Sequence, residues 1–199
     1  EIGVRLVGSE MCIRDSCTKC AKVAGDLLEQ LGYNAHEVEL AKIAGFMHDI
    51  GNVVNRIDHA QSGAMMAFRI LDKMGMAPVD VAAVITAIGN HDELTAAAVN
   101  AVAAALIIAD KTDVRRSRVR NRSTINFDIH DRVNYAAEHS EVVLDKDGKS
   151  ITLNLKINTE ICAVMDYFEI FTNRMLLCRK AAEFLGLQFR LKINEVCLL

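Results

Sequence analysis

Residues 47–51 read Met-His-Asp-Ile-Gly. Side by side, His48 and Asp49 offer one imidazole nitrogen and up to four carboxylate lone pairs to a metal ion. Farther along stand His59, His91 within Asn-His-Asp-Glu, and Asp110 within an apolar segment. Four separated segments thus each deliver a hard or borderline metal ligand. Each residue alone has an ordinary explanation. His48 can be a core histidine, His59 a helix cap, His91-Asp92 a loop pair, and Asp110 a partner for Lys111 or an arginine. Jointly, in this order, they predict a metal site. Asp110 interrupts Ala-Leu-Ile-Ile-Ala, and an unpaired buried carboxylate is expensive, so a metal or a cation must answer it. An Asp carboxylate can also bridge two metals, one oxygen to each.

The elements that must position these residues are mostly helical. Apolar periodicity predicts helix one over residues 17–31, stopped by Gly32. Asn34 is the expected N-cap of helix two, with Glu37 and Glu39 in its first turn. That helix should end at Gly51, just after His48 and Asp49. Neighbouring residues lie about 100° apart around a helix, so both can face one pocket only near a helix end. A polar linker over 52–58 leads to helix three over 59–74. Pro78 suits the first turn of helix four, residues 79–88. Helix five is read over 95–115, apolar nearly all round and therefore central.

The pattern then changes. A short helix is expected over 130–138. Strands over 141–144 and 150–157 are joined by the turn signal Asp145-Lys146-Asp147-Gly148. A long amphipathic helix over 159–185 and a third strand over 187–193 follow. The reading is mainly α: a helical bundle over 17–123, then a small α+β unit over 124–199 with a three-stranded sheet and one long helix.

Bulk composition agrees with a soluble globule. Of 199 residues, 51% are apolar and 25% charged, with one proline and no tryptophan, a balance that favours helices. No apolar run reaches membrane-spanning length. The net charge of −3 gives no global attraction to nucleic acid. Of the scattered cysteines only Cys17 and Cys20 show C-x-x-C spacing, without the second pair a zinc site needs. They are read as reduced thiols, and with no signal peptide the cytoplasm is the expected compartment. The chain opens on Glu1 rather than Met, which suggests a fragment. Residues 4–16 show no helical or strand period and resemble translated sequencing-adapter read-through, so 1–16 are read as an artefact or a disordered tail.

Ala-Gly-Phe-Met-His-Asp-Ile-Gly-Asn, Asp-His-Ala-Gln-Ser-Gly-Ala, Asn-His-Asp-Glu and Ile-Ile-Ala-Asp-Lys, taken together, resemble the HD-domain metal-dependent phosphohydrolase superfamily. The resemblance covers about residues 17–115 and implies a compact helical bundle. It implies that His48, Asp49 and Asp110 hold a first metal, and that His59 and His91 are the extra histidines of binuclear members, with Asp49 bridging. One departure stands out. The family usually carries a further ligand histidine four residues before a Val in helix one, and counting back from Val23 gives Lys19. Lysine is a poor ligand and places positive charge beside the metal. Cys20 is adjacent, but the helix turns it about 100° away. No Gly-Tyr-Pro follows His91, so the cyclic-dinucleotide branch is not indicated.

The implied chemistry uses one or two divalent ions (Mn, Fe, Co or Mg) and a water of lowered pKa that attacks phosphorus in line. Asp49 sits at the centre of it. Asp92 or Glu93 beside His91, and Lys111 beside Asp110, are candidate proton carriers. Asn52 and Asn55 are candidates for phosphate or sugar. Arg115, Arg116, Arg118, Arg120 and Arg122 could grip a substrate with several phosphates, such as a nucleotide, because guanidinium binds phosphate bidentately. They could equally form a solvated basic face, or salt bridges to the C-terminal unit. Without aromatic interleaving, a small phosphorylated substrate is favoured over nucleic acid, and a homodimer is allowed. Two other readings stand beside a hydrolase: a catalytically weakened ligand-binding or regulatory protein, and a di-iron oxygenase.

Overall fold

The structure, a computed structural model, describes residues 2–93, 96–116, 119, 129–146 and 148–198; of residues 2–14 the backbone alone is described. The chain runs α1 (Ile2–Gln30), α2 (Ala35–Met47), a 3-10 turn (Ile50–Val53), α3 (His59–Lys73), α4 (Pro78–Gly89) and α5 (Ala101–Lys111). Then follow α6 (Ile129–Ala136), β1 (Ala137–Leu144), β2 (Ser150–Ile157), α7 (Val164–Phe184), β3 (Gln188–Ile193) and β4 (Val196–Cys197). The mainly α reading holds, with a small sheet attached. No helix among the described residues is long and apolar enough to cross a membrane.

Helix α5 is the axis of the molecule. Residues 102–109 are all buried, and α5 packs against α1, α2 and α4 on one side and α7 on the other. Its apolar circumference is what a helix covered on every side requires. It starts at Ala101 rather than at residue 95 because Asn100 caps it: the side chain accepts from the Ala103 amide at 2.7 Å. Residues 96–99 stay outside, with the Ala97 amide bonded to the Asn90 carbonyl at 3.1 Å. The far end closes on Thr112, whose hydroxyl donates to the Ile108 carbonyl at 2.6 Å.

Helix α2 begins as its sequence predicts, with Asn34 accepting from the Glu37 amide at 3.0 Å. Helix α1, by contrast, begins at Ile2, so its backbone stays helical through residues where no period is legible. The α1–α2 crossing depends on Gly45. A Cβ there would lie 2.7 Å from the Ala21 Cα and 2.8 Å from its nitrogen, so the two backbones touch where a side chain would otherwise separate them.

The sheet has four strands in the order β1-β2-β3-β4, one more than the sequence suggests. The two-residue β4 is too short to carry an alternating pattern, and it pairs antiparallel with β3. Strands β1 and β2 form the expected hairpin, closed by the Asp145 amide on the Ser150 carbonyl at 2.9 Å. Strand β1 opens at Ala137 with an irregularity between Ala137 and His139, so residues expected in the short helix join the sheet instead. Strands β2 and β3 are parallel, with α7 as the crossover between them. Helix α7 starts at Val164 rather than 159 because Asn158 turns the chain: its side chain accepts from the Glu160 amide at 3.0 Å, and its carbonyl accepts from Ile161 and Cys162. Ile151, Leu153, Leu155, Phe189 and Leu191 belong to the same buried cluster as Leu28, Ile88 and Ile107, so one core runs from α1 to β3.

Substituting Gly45→Ala should cost about 1–3 kcal/mol, because backbone rather than a flexible side chain opposes the added methyl. A lowered urea midpoint with an unchanged m-value would show it; an unaltered midpoint would contradict the close crossing.

Candidate metal centre

Four helix ends meet at one place. His48 caps the C-terminus of α2, His59 opens α3, His91 follows the end of α4, and Asp110 is the penultimate residue of α5. Asp49 has left the helix (φ −96°, ψ 7°). That departure lets it share a pocket with His48 although the two are sequence neighbours. The following turn packs tightly on α3. A Cβ on Gly51 would lie 2.0 Å from the His59 carbonyl oxygen and 2.6 Å from the Gly63 nitrogen. Only glycine brings the Asp49 turn this close to the start of α3.

All three imidazoles are buried, and all are held in the same way. Nδ1 of His48 lies 2.8 Å from the Gly45 carbonyl, that of His59 3.0 Å from the Arg56 carbonyl, and that of His91 2.6 Å from the Ile88 carbonyl. A carbonyl only accepts, so each Nδ1 carries the proton and donates it. Each Nε2 is thereby turned toward the shared space as a potential donor to a metal, the tautomer and orientation a ligand histidine needs. His91 stands in the middle, its ring 5.2 Å from that of His48 and 5.1 Å from that of His59, edge to face with both.

The carboxylates complete the set. Asp49 Oδ2 is 3.6 Å from His48 Nε2, and its Oδ1 is 3.4 Å from His59 Nε2, so its two oxygens face two different histidines. Asp110 Oδ1 is 3.6 Å from His48 Nε2, while its Oδ2 takes Lys111 Nζ at 2.6 Å. Two ligand groups result: His48, His91 and Asp110, and Asp49, His59 and His91, each with donor atoms within 4.8 Å of one another. His48 Nε2 is a buried polar atom with no hydrogen-bond partner. Such an atom is costly unless something answers it, and a divalent cation fits: the donors are imidazole nitrogen and carboxylate oxygen, typical for Zn, Fe, Mn or Co.

Electrostatics support the same use. Burial pushes His91 down to about 4, which keeps it neutral and able to ligate at neutral pH. Burial would also lower His48, but the carboxylates of Asp110 and Asp49 outweigh it and raise the ring: they favour positive charge at Nε2, where a proton and a metal ion compete. Burial would raise Asp110; Lys111, His48 and His91 instead hold it well below the usual carboxylate range, so it is an anion.

The other residues singled out in the sequence are placed as follows. Asp92 lies at the rim, its Oδ1 4.0 Å from His59 Nε2. Lys111 is buried against Asp110. Glu93 is bound to Arg174 of α7, Nε to Oε1 at 2.5 Å. Asn52 accepts from Arg56 at 3.4 Å. Arg115 pairs with the buried Asp113, Nε to Oδ1 at 3.0 Å. Arg116 donates to the Tyr135 carbonyl at 2.7 Å and stacks over the Tyr135 ring. Neither arginine is brought to the ligand cluster, and Arg118, Arg120 and Arg122 lie outside the described residues. Lys19, where the resemblance expects a further histidine, binds Asp113 Oδ1 at 3.0 Å, and Ser16 donates to Oδ2 of the same carboxylate. Cys20 is buried and falls in neither ligand group. Two residues near the site went unread. Gln61 bonds the Gly89 carbonyl at 2.9 Å, tying α3 to the end of α4. Arg56 reaches toward Asp49, its NH1 3.7 Å from Oδ1. Nothing in the spacing of either marks it.

A family model for the HD domain matches residues 17–169, and the chain belongs to that family. The match extends past the five helices into α7. No curated protein and no solved structure matches the chain.

His91 has one free nitrogen, Nε2, within reach of both groups, so His91→Ala should lower bound metal more than His59→Ala, whose residue belongs to one group only. Metal counted per chain by plasma mass spectrometry distinguishes them, and equal losses in both variants would contradict the central place of His91.

Proposed function

We propose that this HD-domain protein is a metal-dependent phosphohydrolase that cleaves a phosphate ester of a small molecule, with nucleotides the first class to test. The observation that carries this reading is Asp49, whose two oxygens face His48 on one side and His59 on the other. A carboxylate so placed suits two cations in one pocket. His48, Asp110 and His91 would hold one, and His59 with Asp49 the other. Divalent ions bound there supply a water of lowered pKa and offset charge on the phosphoryl oxygens.

The chain's own groups divide the remaining work. The Nδ1–carbonyl bonds keep three imidazoles fixed, so no reorganisation is needed when substrate arrives. Lys111 neutralises one oxygen of Asp110 and leaves the other for ligation. Asp92, a quarter exposed and at the edge of His59, is placed to pass a proton between the pocket and solvent. The leaving alcohol would take that proton as the ester bond breaks.

A second reading, a ligand-binding protein with weakened catalysis, has one observation in its favour. Lys19 occupies the place of a family ligand and spends its charge on Asp113. Metal content separates the two, since a regulatory relic should purify without metal.

Replacing Asp49→Ala should abolish both bound metal and phosphatase turnover, the latter by at least about a hundredfold. Screening nucleotides and sugar phosphates with Mn, Fe, Co and Mg, before and after chelation, supplies the activity. Unchanged metal content and activity in that variant would sink the two-cation arrangement.

A further inference from the structure

We propose that Arg56 is the phosphate-binding residue of this site, a role that rests on the phosphate-ester reading and gives it a specific anchor. Its guanidinium stands at the mouth of the pocket, 68% exposed, with NH1 3.7 Å from Asp49 Oδ1. That distance is too long for a hydrogen bond, so the pair is a loose electrostatic contact. Among the described residues, four other cations around these helix ends are committed. Lys111 lies 2.6 Å from Asp110, Lys19 and Arg115 each lie 3.0 Å from Asp113, and Arg174 lies 2.5 Å from Glu93. Arg56 alone among these five combines exposure with a partner that the metal reading would employ otherwise. Once Asp49 serves as a ligand, its Oδ1 is no longer a full anion for the guanidinium to neutralise. The fork of donors is then available to an oxyanion bound at the same place.

The backbone holds this arginine in register with the ligands. The Arg56 carbonyl accepts the Nδ1 proton of His59 at 3.0 Å, so one residue orients a ligand with its main chain and projects a cation with its side chain. Asn52 Oδ1 lies 3.4 Å from NH1 and steers the guanidinium toward the pocket. Between Arg56 and His59 the chain passes through Asp58 in the left-handed region, φ 57°. Asn52, read from sequence as a direct substrate contact, becomes a positioning residue for Arg56.

The test uses the whole chain loaded with Mn, titrated with inorganic phosphate by calorimetry, with bound metal counted in parallel. Wild type should bind phosphate. Arg56→Gln should bind it about tenfold more weakly or worse, with metal content unchanged, and Arg56→Lys should recover part of the loss. In turnover, the Arg56→Gln loss should appear mainly in KM. Phosphate binding that is absent from wild type, equal in Arg56→Gln, or lost together with the metal would each overturn the assignment. Phosphate binding that depends on Arg56 in a protein that cleaves no ester in the screen would uphold the arginine and defeat the hydrolase reading.

Discussion

Placing the carboxylate of Asp110 at the end of a helix buried on every side is the constraint around which this protein is built. A lone anion there would be prohibitive. The surroundings answer it with Lys111 on one oxygen and His48 on the other, with His91 close by. Those partners come from three helices whose ends must coincide in space. Several features of the fold follow from that demand: the glycine crossing of α1 and α2, the tight seating of the 51–53 turn on α3, and the Gln61 bond to the end of α4. Each fixes one helix end relative to another.

The three candidate ligand histidines share a further economy. Each sits at or beside a helix end and donates Nδ1 to the carbonyl three residues back. At the last turns of α2 and α4 those carbonyls have lost their usual amide partners. A histidine one or two steps past the end can therefore cap the helix and face the pocket at once. The structural explanation of a capping histidine and the functional one of a ligand turn out to describe the same side chain, through its two different nitrogens.

The five candidate ligands and the helices carrying them were legible because their signals are local. Apolar periodicity, the Asn34 cap, the Gly stops and an aspartate inside an apolar run all act over a few residues. What was not legible depends on contacts between distant segments. The arginine run allowed a phosphate grip and a structural role equally; Arg115 answers Asp113 and Arg116 stacks on Tyr135, a residue 19 positions away. Lys19 looked like a defect, and the structure gives it a carboxylate 94 positions on. Glu93 was read as a candidate proton carrier, and α7 supplies Arg174 as its partner. Arg56 was passed over because a single arginine in a polar linker carries no pattern. Its role depends on where Asp49 points after leaving the helix. The element ends went the same way: Asn100 and Asn158 outweighed propensity with single side-chain bonds to backbone amides.

The cover over α5 has a consequence for how the protein comes into being. All five candidate ligands lie within the first 110 residues, yet one flank of α5 is closed by α7, which begins at Val164. The strand that α7 leads to pairs in parallel with β2, so it cannot dock until that helix has been made. A nascent chain would thus carry its complete ligand set on the ribosome for more than 50 residues of synthesis while the apolar wall behind Asp110 stood open. During that interval the fold has the means to hold a cation but lacks the covering that would keep water from the back of the site.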